Sequence, residues 1–115
     1  MKYRLKISDD VAFPCGFTLN EKGEPRAFGL LIEAKRAQQP DSTSGETVGQ
    51  FLDGRAAIRM VGWVDNKSPL QDEAGNDVPA GADALAALYD LVPNMPGLVL
   101  TAYLDATGAK AKLGN

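Results

Sequence analysis

The stretch that decides the fold is residues 2–34, KYRLKISDDVAFPCGFTLNEKGEPRAFGLLIEA. Apolar and polar residues alternate along three segments of it, as they do in strands that bury one face. These segments are residues 2–8, 11–19 and 26–34. The simplest assembly is a three-stranded antiparallel β-meander over residues 1–34, with one apolar face.

The connections within this stretch carry turn residues. Asp9-Asp10 predicts a turn between the first two strands, and the polar segment 20–25 predicts a hairpin loop of four to six residues. Gly23 in that loop is free to take a positive φ. Pro14 lacks a backbone donor, so the second strand is expected to be an edge strand or to be bulged near Pro14.

Beyond the meander, residues 43–108 are expected to be mainly helical. The polar segment 35–44 predicts a mobile connection. Thr43 and Glu46 have the spacing of a capping box, which favours a helix that continues to about Val61. For residues 56–61 the periodicity fits a strand as well as a helix, and both alternatives stay open.

The last third of the chain predicts an acidic loop and two further helices. Residues 65–81 are rich in Asp, Asn, Pro and Gly, which is typical of a long surface loop. Asp83 is expected to cap a helix that Pro93 stops. Asn94 is expected to cap the next helix, which ends near Gly108.

Length and composition favour one domain. The chain has 115 residues, 44% hydrophobic and 23% charged, with a net charge of -3. Such a chain is long enough for its own core, and nothing in it resembles a linker. We therefore predict a single α+β domain over residues 1–115: the β-meander, about three short helices, and a frayed tail at 109–115.

The residues that are missing exclude several classes of chemistry. The chain has no histidine and a single cysteine, Cys15, so Ser-His-Asp and Cys-His catalysis, a disulfide within the chain and Cys₄ or Cys₂His₂ zinc sites are excluded. The acidic loop lacks the ligand spacing of an EF-hand, and no phosphate-binding glycine motif occurs. We expect no catalytic residue, no metal and no cofactor, and we expect Cys15 to be a buried small hydrophobe.

Charge and hydropathy argue against two classes of partner, nucleic acid and membrane. An acidic chain without a basic stripe is a poor candidate for binding nucleic acid or an anionic membrane. Apolar runs are far shorter than the roughly 20 residues of a membrane span, and no apolar segment follows the basic N-terminus as in a signal peptide. A small protein-binding domain is the class that remains.

Short motifs follow one another in a definite order along the full chain. The most telling are Gly62-Trp63 before the acidic Asp72–Pro79 loop, and Pro96-Gly97 before a helix with Ala102-Tyr103. The other blocks, in chain order, are Phe17-Thr18-Leu19, Phe28, Lys35-Arg36, Phe51-Leu52, Leu85–Leu91 and Leu104. These motifs and their order resemble those of the tail assembly chaperones of long-tailed bacteriophages.

The resemblance implies a non-catalytic protein of the host bacterial cytoplasm that is absent from the mature virion. Such chaperones bind the long, apolar, helical tape measure protein and keep it soluble until the tail tube forms around it. They commonly self-associate. In many of these phages a frameshift produces a longer form that recruits the tail tube protein.

A holdase needs apolar surface on a charged body, and the helical half is the expected source of it. The candidate partner-binding residues are Trp63, Leu85, Leu88, Leu91, Leu98, Tyr103 and Leu104. They fit a helix-in-groove contact with the tape measure protein. The alternative for each is packing in the domain's own core. Two other functions stay open: a structural tail or head–tail completion protein of the virion, and an unrelated protein-binding module.

Overall fold

The computed structural model describes residue 3, residues 5–37 and residues 45–108. Within this part of the chain, an antiparallel sheet of order β1-β2-β3 packs against three α-helices, which confirms the predicted α+β class with its three-stranded sheet. The elements are β1 (Asp10–Glu21), β2 (Glu24–Lys35), α1 (Val48–Asp53), β3 (Arg59–Trp63), a 3-10 turn (Val64–Asn66), α2 (Ala82–Leu91) and α3 (Met95–Thr107).

The β1–β2 hairpin is tighter than predicted. The paired register continues to Glu21 opposite Glu24, so the loop has two residues, Lys22 and Gly23, and the expected four to six is wrong. Both have positive φ, 51° and 89°, as in the tight turns whose twist matches that of the flanking strands. The Asn20 side chain accepts a hydrogen bond from the Gly23 amide at 2.9 Å.

The first predicted strand, residues 2–8, is absent from the sheet: Tyr3 and residues 5–8 lie outside every strand. The expected turn at Asp9-Asp10 is also wrong, since Asp10 begins β1. The Asp9 carbonyl accepts a hydrogen bond from the Arg36 amide, so Asp9 still pairs with the end of β2 although the chain bends there.

The phase of the alternation explains why no hairpin forms there. The apolar residues Tyr3, Leu5 and Ile7 are odd-numbered, like the inward-facing residues of β1. A two-residue turn at Asp9-Asp10 would pair odd residues with even ones. Directly paired residues share a face, so the apolar side chains would be placed on the solvent side.

The third strand is β3, where a helix continuing to about Val61 was expected. That prediction is wrong: α1 ends at Asp53, and Arg59–Trp63 pairs with β2. Ala57 has a φ of 48°, which a continuing right-handed helix does not allow. The strand alternative for residues 56–61 holds from Arg59 onward. The sheet is therefore completed across α1, and the predicted meander of residues 1–34 supplies only two of its strands.

The N-terminus of α1 has a capping box four residues later than expected. The Thr47 hydroxyl accepts from the Gln50 amide at 3.1 Å, and the Gln50 side chain accepts from the Thr47 amide at 2.9 Å. This reciprocal pair satisfies two amides that the helix leaves free. Glu46 precedes the cap, and Thr43 lies outside the described residues, as do most of the segment 35–44 and all of the tail 109–115.

The two remaining helices begin and end nearly as predicted. Asp83 is not the cap of α2, because the helix begins at Ala82 and Asp83 lies in its first turn, where its charge favours the helix dipole. Leu91 is the last helical residue before Pro93, as expected. Asn94 and Gly108 flank α3 as predicted, although the Asn94 side chain makes no capping hydrogen bond.

The core lies between one face of the sheet and the helices. The odd-numbered residues of β1 and the even-numbered residues of β2 point into it. Its largest fully buried side chains are Leu30, Ile32, Phe51, Leu52, Leu88, Met95, Val99 and Tyr103. Pro14 lies on β1, an edge strand, and its pairing with Leu31 continues without a bulge, so the edge-strand alternative is the correct one.

Candidate protein-binding groove

The seven predicted partner-binding residues do not form one exposed surface. Four are buried: Trp63, Leu85, Leu88 and Tyr103. Leu98 and Leu104 on α3 are half-buried against the core, and Leu91 is 68% exposed at the end of α2. Most of the apolar stripe therefore closes the domain's own core, and Leu85 is the one member that also lines an open groove.

The Trp63 indole has a structural task at the end of β3. It is 7% exposed, and its Nε1 donates a hydrogen bond to the Val78 carbonyl at 2.9 Å. This bond ties the loop after β3 to the sheet. The same loop is closed on itself by an antiparallel bridge between Gln71 and Asp77, a small hairpin within the predicted acidic loop.

The groove lies between β3 and α2 and has a volume of about 490 Å³. Its lining is mainly apolar, with the charged side chains of Asp53 and Arg59 among it. We call it the β3–α2 groove. The apolar and aromatic residues that line it are Ile58, Met60, Val61, Ala82, Leu85, Ala86 and Tyr89.

Tyr89 is the aromatic residue of the groove lining. Its hydroxyl oxygen is buried and has no hydrogen-bond partner among the described residues. Burial, and secondarily the nearby Asp53 and Cys15, raise the pKa of Tyr89 to about 12, so the phenol stays neutral. A buried hydroxyl without a partner is uncommon in folded proteins. Because the hydroxyl is buried, Tyr89 offers its ring, and not its hydroxyl, to a molecule in the groove.

The groove suits an apolar side chain of a partner. Its volume lies within the roughly 300–1,000 Å³ typical of binding clefts. Apolar side chains of α2 and β3 supply the contact area. A protein segment with large apolar side chains offers the matching groups.

Sequence reasoning found one residue of the groove and missed the others. Tyr89 follows Leu85 by four residues, so the helical stripe that identified Leu85 also places Tyr89 on its face. Ile58, Met60 and Val61 could not be placed beside α2 while residues 56–61 were assigned to a helix. Their role depends on β3 being a strand.

The structure also shows the surroundings of the Cys15 thiol and of the acidic side chains. Cys15 is 2% exposed on the inner face of β1, as predicted, and burial raises the pKa of its thiol. No cluster of three or more His, Cys, Asp or Glu side chains able to hold a metal occurs within residues 5–37 and 45–108.

Hydropathy and comparison with known proteins add two findings. No single helix of the described chain is long and apolar enough to span a membrane; α2 and α3 meet that test only as a pair bent by 119°. Comparison with protein-family models, curated proteins and solved structures finds no match to this chain.

Proposed function

We propose that this protein is a non-catalytic tail assembly chaperone that binds and solubilises the tape measure protein of a long-tailed bacteriophage. The observation that carries the proposal is the β3–α2 groove, an open apolar cleft on a charged body. The order of sequence motifs described above supplies the identity of the client. Self-association, and recruitment of the tail tube protein through a longer frameshifted form, belong to the same proposal.

The groove matches one face of an apolar helix. A helix presents large apolar side chains three and four residues apart, and such anchors bind clefts of this kind in helix-in-groove complexes. Of the seven candidate residues, Trp63, Leu88 and Tyr103 are buried in the core, and Leu98 and Leu104 are half-buried against it. Leu91 lies outside the groove. We therefore place the contact in the groove and retain only Leu85 of the seven.

Charge supports the same assignment. The net charge of -3 keeps the protein soluble while it carries an apolar cleft, and it favours encounter with a basic client. Within the groove, Asp53 provides an acidic group beside the apolar lining, whereas the Arg59 guanidinium donates to the Glu33 carboxylate at 2.6 Å. A client helix with apolar and basic residues on its binding face would suit this lining.

The test is co-expression with the tape measure protein encoded in the same phage or prophage genome. Wild-type protein is expected to move the client into the soluble fraction and to co-purify with it. Ala86→Glu places a carboxylate on an exposed groove position of α2 without removing a core side chain. We expect it to reduce the soluble client several-fold while the thermal melt stays close to wild type.

Leu91→Glu is the matched control, because it introduces the same charge at an exposed position of α2 outside the groove. It is expected to keep the client soluble. An insoluble client with the wild-type protein would overturn the chaperone proposal. Full activity of Ala86→Glu, or loss with Leu91→Glu alone, would instead move the contact away from the groove. Purified virions that retain the protein would favour a structural tail component.

A further inference from the structure

The N-terminal arm, residues 3–8, has the sequence of a strand but no strand beside it among the described residues. Its three apolar side chains are all mostly exposed to solvent: Tyr3 is 81% exposed, Leu5 61% and Ile7 59%. Basic residues Lys2, Arg4 and Lys6 alternate with them in the sequence. An amphipathic strand pattern with its apolar face in solvent indicates a missing partner.

The edge of β1 offers unpaired backbone groups of the matching kind. Arg36 donates to the Asp9 carbonyl, which places the odd-numbered residues of β1 in the hydrogen-bonded pairs with β2. The even-numbered residues therefore direct their amides and carbonyls to the open side. Pro14 has no backbone amide hydrogen, and the Asp10 amide already donates to the Ser8 hydroxyl. The outward amides that remain on this edge are those of Ala12, Gly16, Thr18 and Asn20.

We propose that the N-terminal arm of one copy pairs antiparallel with the open edge of β1 in a second copy, and reciprocally, so that two sheets join across a two-fold axis. The Asp9 carbonyl still pairs with the Arg36 amide, but the chain bends at Asp9 and again at Lys6 and Ile7, so the arm would straighten on pairing. Strand addition of this kind uses backbone hydrogen bonds for affinity and side-chain alternation for register. The proposal specifies how two copies associate, and its surfaces lie outside the β3–α2 groove, so self-association and client binding are tested separately.

Symmetry gives the pairing a property that holds in every register. When a strand pairs antiparallel with its own copy across a two-fold axis, the numbers of paired residues add up to an even total. An odd residue therefore always faces an odd one, and paired residues share a face of the sheet. Tyr3, Leu5 and Ile7 would lie on the same face as the buried Phe13 and Cys15, whatever the register.

The opposite face is also compatible. Of the even-numbered arm residues, Arg4 and Lys6 are basic and Ser8 is uncharged, and they would lie beside the even-numbered residues of β1. That face of β1 carries small or uncharged residues and one charged side chain, the acidic Asp10, which is paired with Lys35 of β2. The basic side chains of the arm thus meet no positive charge on β1 itself.

Helix α3 provides cover for the added strand. It packs across the inner face of β1, where Tyr103 meets the Phe13 ring edge-on at 6.1 Å. Besides its buried residues, α3 carries half-buried leucines at 98, 100 and 104. A sheet extended past β1 would bring the apolar side chains of the arm toward this apolar helix, so both surfaces lose water together.

The test measures molar mass by light scattering on full-length protein tagged at the C-terminus. At high concentration we expect wild type to have twice the molar mass of one tagged chain, of which the protein itself contributes 12.2 kDa. Gly16→Pro removes one outward amide without touching the hydrogen bonds to β2, and Gly16→Ala keeps that amide. The proline variant is expected to weaken the dimer at least tenfold, the alanine variant to leave it within about twofold, and both to show the wild-type far-UV spectrum.

A second, independent test compares substitutions at odd-numbered and even-numbered residues of the N-terminal arm. Leu5→Ser with Ile7→Ser changes odd positions and is expected to abolish the dimer, while Lys6→Ser changes an even position and is expected to leave it intact. A monomeric wild type at the highest soluble concentration overturns the proposal. So does a dimer that survives removal of residues 1–8, or one that is equally sensitive to Lys6→Ser.

Discussion

The two tyrosines of the last two helices differ in the number of hydrogen bonds that their hydroxyl groups make. On α3, the Tyr103 hydroxyl donates to the Lys35 carbonyl at 2.7 Å and accepts from the Ala37 amide at 2.8 Å. On α2, the Tyr89 hydroxyl is buried at the β3–α2 groove and has no partner in the described chain. One hydroxyl makes two hydrogen bonds within the core, and the other makes none within the described chain.

Packing follows the same division. The Tyr103 ring is 1% exposed and makes edge-on contacts with Phe13 of β1 and Phe51 of α1, so it joins three elements at one point. Tyr89 lies half-buried at the wall of an open cleft. The difference teaches that the contacts around Tyr103 are complete within one chain. The groove beside Tyr89 leaves apolar side chains of β3 and α2 open to a second molecule.

The largest effect should come from truncating Tyr103. Tyr103→Ala removes a buried ring and both of its hydrogen bonds, and we expect a loss of about 3–5 kcal/mol in the free energy of unfolding. Tyr89→Ala is the comparison, because its ring is only half-buried, and it should cost clearly less. Urea denaturation of the two variants measures both values. Equal losses would show that the groove wall is as much a part of the core as α3.

Removing only the hydroxyl of Tyr103 isolates its polar contribution. Tyr103→Phe keeps the ring contacts but leaves the Lys35 carbonyl and the Ala37 amide without their partner. Two ordinary hydrogen bonds together contribute about 1–3 kcal/mol, and we expect a loss of that size in urea denaturation. A variant as stable as wild type would mean that water replaces the hydroxyl at both groups.

The two regions also differ in how far the sequence predicts them. Alternation places β1 and β2 correctly, because both strands bury one face without interruption. In β3 the register shifts at Leu31/Ile32, so that the buried residues are Met60 and Trp63, three positions apart. A spacing of three lacks the period-2 alternation that identifies β1 and β2, so periodicity does not distinguish a strand from a helix here.

The candidate site inherits that error. Leu85 follows from the apolar stripe of α2, whereas the strand side of the groove requires knowing that β3 passes beside this helix. The arm gives the converse case: its alternation was interpreted as a strand of this sheet, but in the structure Leu5 and Ile7 face solvent. Local pattern predicts the strand character of a segment, and only phase and pairing decide which strand lies beside it.

The smallest effect, and the one that most sharpens the contrast, is expected from Tyr89→Phe. Because the hydroxyl has no partner within the described chain, its removal should be nearly neutral or slightly stabilising near neutral pH.

The pKa of Tyr89 is raised to about 12, whereas an unfolded tyrosine titrates near 10. As the pH rises between these values the unfolded chain loses this proton first, so the Tyr89 contribution makes the folded state less stable. Wild type should therefore lose more stability than Tyr89→Phe between neutral pH and about pH 11, measured by urea denaturation. If Tyr89→Phe costs as much as Tyr103→Phe near neutral pH, the Tyr89 hydroxyl has a hydrogen-bond partner within the protein.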